Sequence, residues 1–484
     1  MWFRADLRTV DNRALHAACA AADRGVIAVF IVASRQWREH DWGDPRIDFV
    51  WRSLKSLHVD LVRLNIPLHV LFIDGFDDVP AELCRFAATH ECDTLFYNLE
   101  YEVNERRRDE AVKAAFARNG RRVRAFHDQT VIPPDVLRTK SDGRFYTVFS
   151  PFRRAWTTML NDDGVPEVLP APRRMEIAAT AIPPFPEDAR SPALAVNVPA
   201  PILEWWPAGE TAANERLQSF VADGLQEYKE RRNFPADIGG TSRLSGYLAV
   251  GAISARACLH AALERNRQKI DKGNPQIDTW ISELVWREFY RHVLVGYPRV
   301  CMNGTFRREY RHFPFRDDPE SFDAWCAGRT GIPIVDAAMR QLNTVGWMHN
   351  RLRMVVAMVL TKNLLIDFRA GERYFMNRLV DGDFAQNNGG WQWSASTGTD
   401  AAPYFRIFNP YSQSKRFDPE GAFIQTWVPE LEGVEPAALH HPEKFSPELR
   451  LRLGYPDPIF DATSTRARAI EVFQAVSATE GSGA

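Results

Sequence analysis

Val26-Ile-Ala-Val-Phe-Ile-Val-Ala33, a helical run over residues 46–64, and Leu68-His-Val-Leu-Phe-Ile73 decide the first part of the fold. The two apolar runs are short, β-branched and lack polar alternation, which marks strands buried on both faces. The same alternation of elements continues with strand-like residues 94–97 and 123–126 around a helical stretch at Val103–Arg118. Gly120 is placed to stop that helix. This βαβ series predicts a parallel, doubly wound, Rossmann-like α/β domain over residues 1–130. No GxGxxG follows the first strand, so the usual dinucleotide site is not expected there.

Residues 160–205 are rich in Pro and Ala, including Ile182-Pro-Pro-Phe-Pro186. They predict a connector over the surface, assigned to residues 131–209. From residue 210 to 472 the helical period dominates and predicts a large all-α domain. Residues 473–484 end in small polar side chains and are expected to be a disordered tail. No internal repeat is found.

The chain has 484 residues, enough for two or three domains with sizeable cores. No run of 18 apolar residues occurs, and Met1-Trp2-Phe3-Arg4 does not open a signal peptide, so a cytoplasmic protein away from membranes is expected. Cys19, Cys84, Cys92, Cys258, Cys301 and Cys326 are scattered without a CxxC pair and read as buried reduced thiols. The net charge of -2 excludes a polycation but leaves room for a local basic groove. Arginine far outnumbers lysine, 51 to 9, which suits bidentate phosphate contacts; compositional bias explains most of the excess, which alone does not indicate DNA binding.

Four stretches carry the chemistry. Trp280, Glu283, Trp286 and Arg287 fall on one helix face, where a carboxylate between indoles needs a partner. A plain Glu283–Arg287 pair is the simpler reading; the flanking rings favour a planar ligand. Trp347, Asn350, Arg351 and Met354 share a second face, with Arg353 at its edge. Asp381-Gly382-Asp383 precedes Asn387-Asn388-Gly389-Gly390-Trp391-Gln392-Trp393. Paired carboxylates suit a metal or acid–base work, yet no histidine or third carboxylate lies nearby. No metal is therefore expected, and Asp381 pairing with an arginine such as Arg353 is the milder account. Thr241-Ser242-Arg243-Leu244-Ser245 follows Gly239-Gly240 and reads either as a plain helix cap or as a phosphate-binding helix start. Together the four imply a nucleotide-like cofactor with a planar ring.

At these residues the chain resembles the class I cyclobutane pyrimidine dimer DNA photolyases of the photolyase/cryptochrome family. The resemblance runs from Trp2-Phe3-Arg4 and Asp6-Leu7-Arg8 to about Asp457. It is most specific over Gly346-Trp-Met-His-Asn-Arg-Leu-Arg-Met354 and Ser396-Thr-Gly-Thr-Asp-Ala-Ala-Pro-Tyr404. The resemblance implies bent FAD in the helical domain. Tyr228, Thr241, Ser242, Leu244 and Ser245 match positions at its phosphates and neighbouring groups. Trp280, Arg287, Trp347, Arg353, Asp381, Asp383 and Asn387 match other flavin positions, with Asn387 near flavin N5. Glu283, Trp286, Asn350, Arg351, Met354 and Trp393 match the pocket for a flipped-out dimer. Arg232, Arg351 and Arg406 are candidate phosphate contacts. UV-damaged DNA is the implied partner, acted on by a monomer without an obligate protein partner. His40, Asn104 and Glu105 match an antenna site for 5,10-methenyltetrahydrofolate.

Several positions depart from the family. Its members usually refill the flavin with electrons through three tryptophans. Trp391 matches the inner one, but Phe368 and Phe315 stand at the middle and outer positions. Tyr374, Trp325 and Trp427 are candidates for another route. Met302 stands where some members carry an antenna lysine, and Asn233 where aspartate is common. A cryptochrome-like blue-light receptor is the alternative function. Repair of (6-4) photoproducts ranks below it, because Asn350-Arg351 occupies positions where that chemistry wants histidine.

Overall fold

The computed structural model describes residues 1–186 and 196–481. Its contacts divide into two units that are not contiguous in sequence. The first comprises Met1–Gln226, Ser242–Pro298 and Val380–Asp383; the second comprises Glu227–Thr241, Arg299–Leu379 and Phe384–Ala484.

In the first unit five strands form: β1 (Trp2–Phe3), β2 (Ala28–Ala33), β3 (Leu68–Ile73), β4 (Thr94–Asn98) and β5 (Arg122–Phe126). All pairings are parallel, in the orders β1-β2-β3 and β4-β5, with Trp2 opposite Val29, Ala28 opposite Leu68 and Thr94 opposite Arg122. β4 lies beside β1, where the Trp2 and Tyr97 rings meet edge to face at 5.5 Å. The helices Asp44–Arg63, Val79–Thr89 and Val103–Arg118 supply the crossovers. Val29, Val79, Leu83, Leu95, Val112 and Phe116 are buried together as one core. Gly120 has φ +67°, the left-handed conformation that ends a helix without a Cβ penalty.

The expected connector contains the helices Phe149–Asp163 and Ala200–Trp205. Between them the chain is pinned to the sheet domain, as where Met175 N donates to Leu64 O at 2.9 Å. Buried charges explain why residues 242–298 pack with the N-terminal strands instead of with the helices that follow. The Arg256 guanidinium joins Asp11 at 2.9 Å and Asp128 at 2.6 Å. The Glu288 carboxylate accepts from Val131 N, Ile132 N and Trp156 Nε1 at 2.8–2.9 Å. A buried carboxylate with three donors has its desolvation cost offset.

The regular elements in the described part of the second unit are all helices. Its helices start on strong local signals. Asp318 and Asn409 cap the helices Pro319–Ala327 and Pro410–Phe417, each with proline in the first turn. Trp325, Met339, Leu342, Val355, Leu360 and Trp391 belong to its core. The last helix, Ala462–Gly481, runs through most of the stretch expected as a disordered tail, correcting that expectation as far as Gly481; residues 482–484 lie outside the described part. Its middle is anchored by Phe473, 1% exposed among Tyr310 and Phe313. Among the described residues no helix is long and apolar enough to cross a membrane.

Candidate active site

The first unit carries one half of the residues singled out by sequence. Trp280, Glu283, Trp286 and Arg287 lie on the helix Pro275–Gly296, capped by Asn274. Trp280 is buried, while Glu283, Trp286 and Arg287 are half-buried. The Trp286 ring stacks on Phe149 at 3.6 Å and 5°, so one face is backed by an aromatic ring. Phe149 had no sequence signal, because the pairing spans 137 positions. Arg287 donates to Gln129 O at 2.8 Å and Leu248 O at 3.2 Å. Burial, then the charge of Arg291, pushes its guanidinium down to about 10.

Asp381 and Asp383 are buried in the same unit. Arg291 Nη2 donates to Asp383 at 2.6 Å, and Arg46 donates to Gly382 O. Burial alone would raise the Asp383 carboxyl; Arg291, Arg287 and Arg46 overcome it and hold it at about 2. Sequence reasoning missed Arg46 and Arg291, whose only signal was the need of paired buried carboxylates for cations. Leu244 is buried, and Ser242 and Ser245 are more open. The helix there is short, Ser245–Val250, and Leu244 occupies its cap position without a side-chain hydrogen bond. Thr241 and Ser242 therefore precede the helix and do not cap it, which corrects the capping reading.

His40, Asn104 and Glu105 come together in this unit. His40 Nδ1 lies 3.3 Å from a Glu105 oxygen, and Asn104 Nδ2 lies 3.0 Å from His40 Nε2. Burial would lower the His40 pKa, but the hydrogen bond and charge of Glu105 raise it. His40 and Glu105 line a pocket together with, among others, Trp2, Trp37, Trp42 and Arg46. Trp37 and Trp42 stack at 4.9 Å, with Arg46 3.6 Å above the Trp42 ring.

The second unit carries the other half. Gly346, at φ +67°, ends the helix Pro333–Val345. Trp347 follows in a turn, buried, and the next helix is Asn350–Met358. Trp347 thus lies ahead of that helix, not on one face with Asn350, Arg351 and Met354. His349 Nδ1 caps it by accepting from Arg351 N at 3.1 Å. Arg351 Nη2 donates to Asn233 Oδ1 at 2.6 Å, and its guanidinium sits 4.5 Å over the Phe417 ring. Arg232 rests 5.2 Å over the buried Tyr228, and Arg353 Nε donates to Met348 O at 2.8 Å. Arg416, also over Phe417, adds a cation that sequence reading did not select.

Asn387, Trp391 and Trp393 belong to the helix Phe384–Ser394. Asn387 Nδ2 donates to Glu372 O at 3.0 Å, which turns its Oδ1 the other way. Asn388 and Gln392 extend the polar row: Asn388 Nδ2 donates to Glu372 Oε1, and Gln392 Nε2 to Asn388 Oδ1, both at 3.0 Å. Gln392 also accepts from Phe306 N at 2.8 Å, and its carbonyl accepts from Thr397 N and Gly398 N at 3.0 Å. This helix therefore holds the loop that leads to Arg406, which is exposed. Tyr228, Thr241 and Met354 lie in this unit; Thr241 and Met354 are half-buried.

Two family models match the chain, and the second cuts across this division. Residues 1–173 match the family model described as DNA photolyase, and residues 280–475 match the FAD binding domain of DNA photolyase. A deoxyribodipyrimidine photo-lyase of Salmonella typhimurium is 42% identical, covering 98% of each chain. The crystal structure of a bacterial class III photolyase from Agrobacterium tumefaciens superposes with a TM-score of 0.87 at 34% identity, over 98% of this chain and 97% of that one. A cryptochrome of Synechocystis sp. gives 0.84 at 27%, over 97% and 98%.

Proposed function

The chain belongs to the DNA photolyase family, and from that premise we propose that it is a deoxyribodipyrimidine photo-lyase that uses FAD and light to reverse cyclobutane pyrimidine dimers in DNA. The observation that carries this reading is the Trp286 ring, backed by Phe149 at 3.6 Å with Glu283 one turn before it on the same helix. A preformed aromatic ledge beside a carboxyl suits a pyrimidine pair, which offers an apolar flank and an imide edge.

The residues present fit FAD. Asn387, its amide nitrogen taken by Glu372 O, would offer Oδ1 to a protonated ring nitrogen. Asp383, kept ionised by Arg291, accepts hydrogen bonds only, as a ribityl O–H or a ring N–H requires. Tyr228, Thr241, Ser242, Leu244, Ser245, Trp280, Arg287, Trp347, Arg353 and Asp381 complete the proposed flavin set. Reduced FAD, excited by light, would supply an electron to the dimer and take it back after the ring opens.

This chain's own residues bind and orient the lesion. Trp286 and Trp393 pack against the fused bases, and Met354 adapts to their shape. Glu283 and Asn350 hydrogen-bond the pyrimidine edges, with Glu283 stabilising charge that develops on a carbonyl. Arg232, Arg351 and Arg406 hold phosphates flanking the lesion, and Arg416 joins them. Light-dependent loss of dimers from UV-irradiated DNA, using pre-reduced protein, tests the reading; repair in the dark, or none in light, opposes it. The likeness to the Synechocystis cryptochrome keeps a blue-light receptor as the second reading. Such a receptor would leave dimers intact in that assay.

For the antenna we propose 5,10-methenyltetrahydrofolate at His40, Asn104 and Glu105, supported by their mutual hydrogen bonds. The protein would act in the cytoplasm as a monomer.

A further inference from the structure

We infer that Trp391, Trp325 and Tyr374 form the route by which electrons reach the oxidised flavin. The inference rests on the flavin reading above and concerns how the cofactor is recharged, not how the lesion is split. Trp391 lies one helical turn after Asn387 on the helix Phe384–Ser394, the i, i+4 spacing that shares a face. Its ring meets Trp325 edge to face, with centroids 6.0 Å apart. Trp325 meets Tyr374 at 5.8 Å, and Phe375 wedges beside both indoles, 5.0 Å from Trp391 and 6.1 Å from Trp325. Rings this close touch at their edges, so charge passes without a gap. The packing is tight: a methyl group at Gly371 would collide with the Trp391 ring.

The chemistry of each station favours the route. Trp325 is wholly buried, and its Nε1 donates to Val356 O at 3.1 Å. An acceptor on the indole N–H stabilises the oxidised ring, whose N–H is more acidic. Tyr374 is half-buried, so the last station reaches the surface. Its hydroxyl lies 2.7 Å from Asn343 Oδ1 and 2.9 Å from Cys326 O. Asn343 is oriented for this, because its Nδ2 donates to Cys326 O at 2.9 Å. The other aromatic run, Phe368 and Phe315 at 6.5 Å, consists of benzene rings that such an oxidant cannot ionise.

The electron balance closes with an external thiol. In each of two rounds Trp391 would give one electron to the photoexcited oxidised flavin, Trp325 would refill Trp391, and Tyr374 would refill Trp325, so that two electrons are delivered in all. Tyr374 loses its O–H proton to solvent and becomes a neutral radical. The thiol returns a hydrogen atom to that oxygen: its S–H bond breaks, the O–H bond re-forms, and two thiyl radicals couple to a disulfide.

The test illuminates flavin-loaded protein containing ring-deuterated tyrosine, with a thiol present, and reads flavin absorbance together with the radical signal in electron paramagnetic resonance. Tyr374→Phe, which removes one hydroxyl, should abolish the tyrosyl signal and slow flavin photoreduction about tenfold or more. Trp325→Phe should do the same, and Trp427→Phe should change neither. Adding Phe368→Trp and Phe315→Trp to Tyr374→Phe should restore the rate by opening the other run. Repair by chemically reduced Tyr374→Phe protein, unaffected, would show that the fold is intact. A tyrosyl signal or an unchanged rate in Tyr374→Phe overturns the route while leaving the flavin reading in place. Protein that holds no flavin after reconstitution overturns both.

Discussion

Arg351 is aimed by an uncharged partner: its Nη2 donates to Asn233 Oδ1 at 2.6 Å, so the amide fixes the guanidinium without cancelling its charge. Burial, then Arg232 and Arg416, lowers the Arg351 pKa, which shows two more cations close by. Asn233→Asp keeps the acceptor and adds a negative charge. Binding to damaged DNA should weaken, and the slope of log affinity against log salt should flatten by about one unit. Arg351→Ala should flatten it equally. Titrations at several salt concentrations check this; wild-type slopes in both variants would remove Arg351 from the phosphate contacts.

Glu283→Ala should lower the repair yield per absorbed photon by about tenfold or more, with binding of dimer-containing DNA changed less. Yield measured at saturating substrate separates the two effects. An unchanged yield would reduce Glu283 to a structural role.

Asp383 makes the chain's acid stability specific. Its carboxyl is held at about 2 by Arg291, Arg287 and Arg46 against the opposing effect of burial. A depressed carboxyl contributes stability in full above the unfolded carboxylate range. That contribution is lost as pH falls from about 4 through 2. Arg291→Ala leaves a buried charge with one partner fewer and should cost about 3 kcal/mol at neutral pH. Urea unfolding at pH values from neutral downward measures both.

The His40–Glu105 pair gives the antenna a pH dependence of the opposite sign. The raised His40 pKa means that the charged pair is present below the ordinary histidine value and is lost as pH rises through the raised one. Folate retained through gel filtration should therefore fall between about pH 6 and pH 9. Glu105→Gln should retain little at either pH. Equal occupancy in all four samples would detach the pair from the antenna.

The strand Leu68–Ile73 and the helix Val103–Arg118 were legible at their final bounds, because period and flanking glycine are local properties. Ala28–Ala33 was legible as a strand but not at its start. The face Trp280–Arg287 was read correctly as helical, while the Trp347 face was not, since Gly346 breaks the helix just before it. Partners distant in sequence left no trace in either reading. Phe149 under Trp286, Arg291 on Asp383 and Glu372 under Asn387 each depend on packing that no window of residues encodes. The division into units was illegible for the same reason: Arg256 and Glu288 decide where residues 242–298 belong, through contacts with Asp11, Asp128 and Val131.

The four residues Val380–Asp383 complete the first unit from far along the chain. During synthesis, a nascent polypeptide cannot close that unit until residue 383 has cleared the ribosome, by which time roughly half of the second unit has already emerged. The two units must then mature together, and a truncation between Pro298 and Val380 would leave Arg46 and Arg291 without the segment they bond.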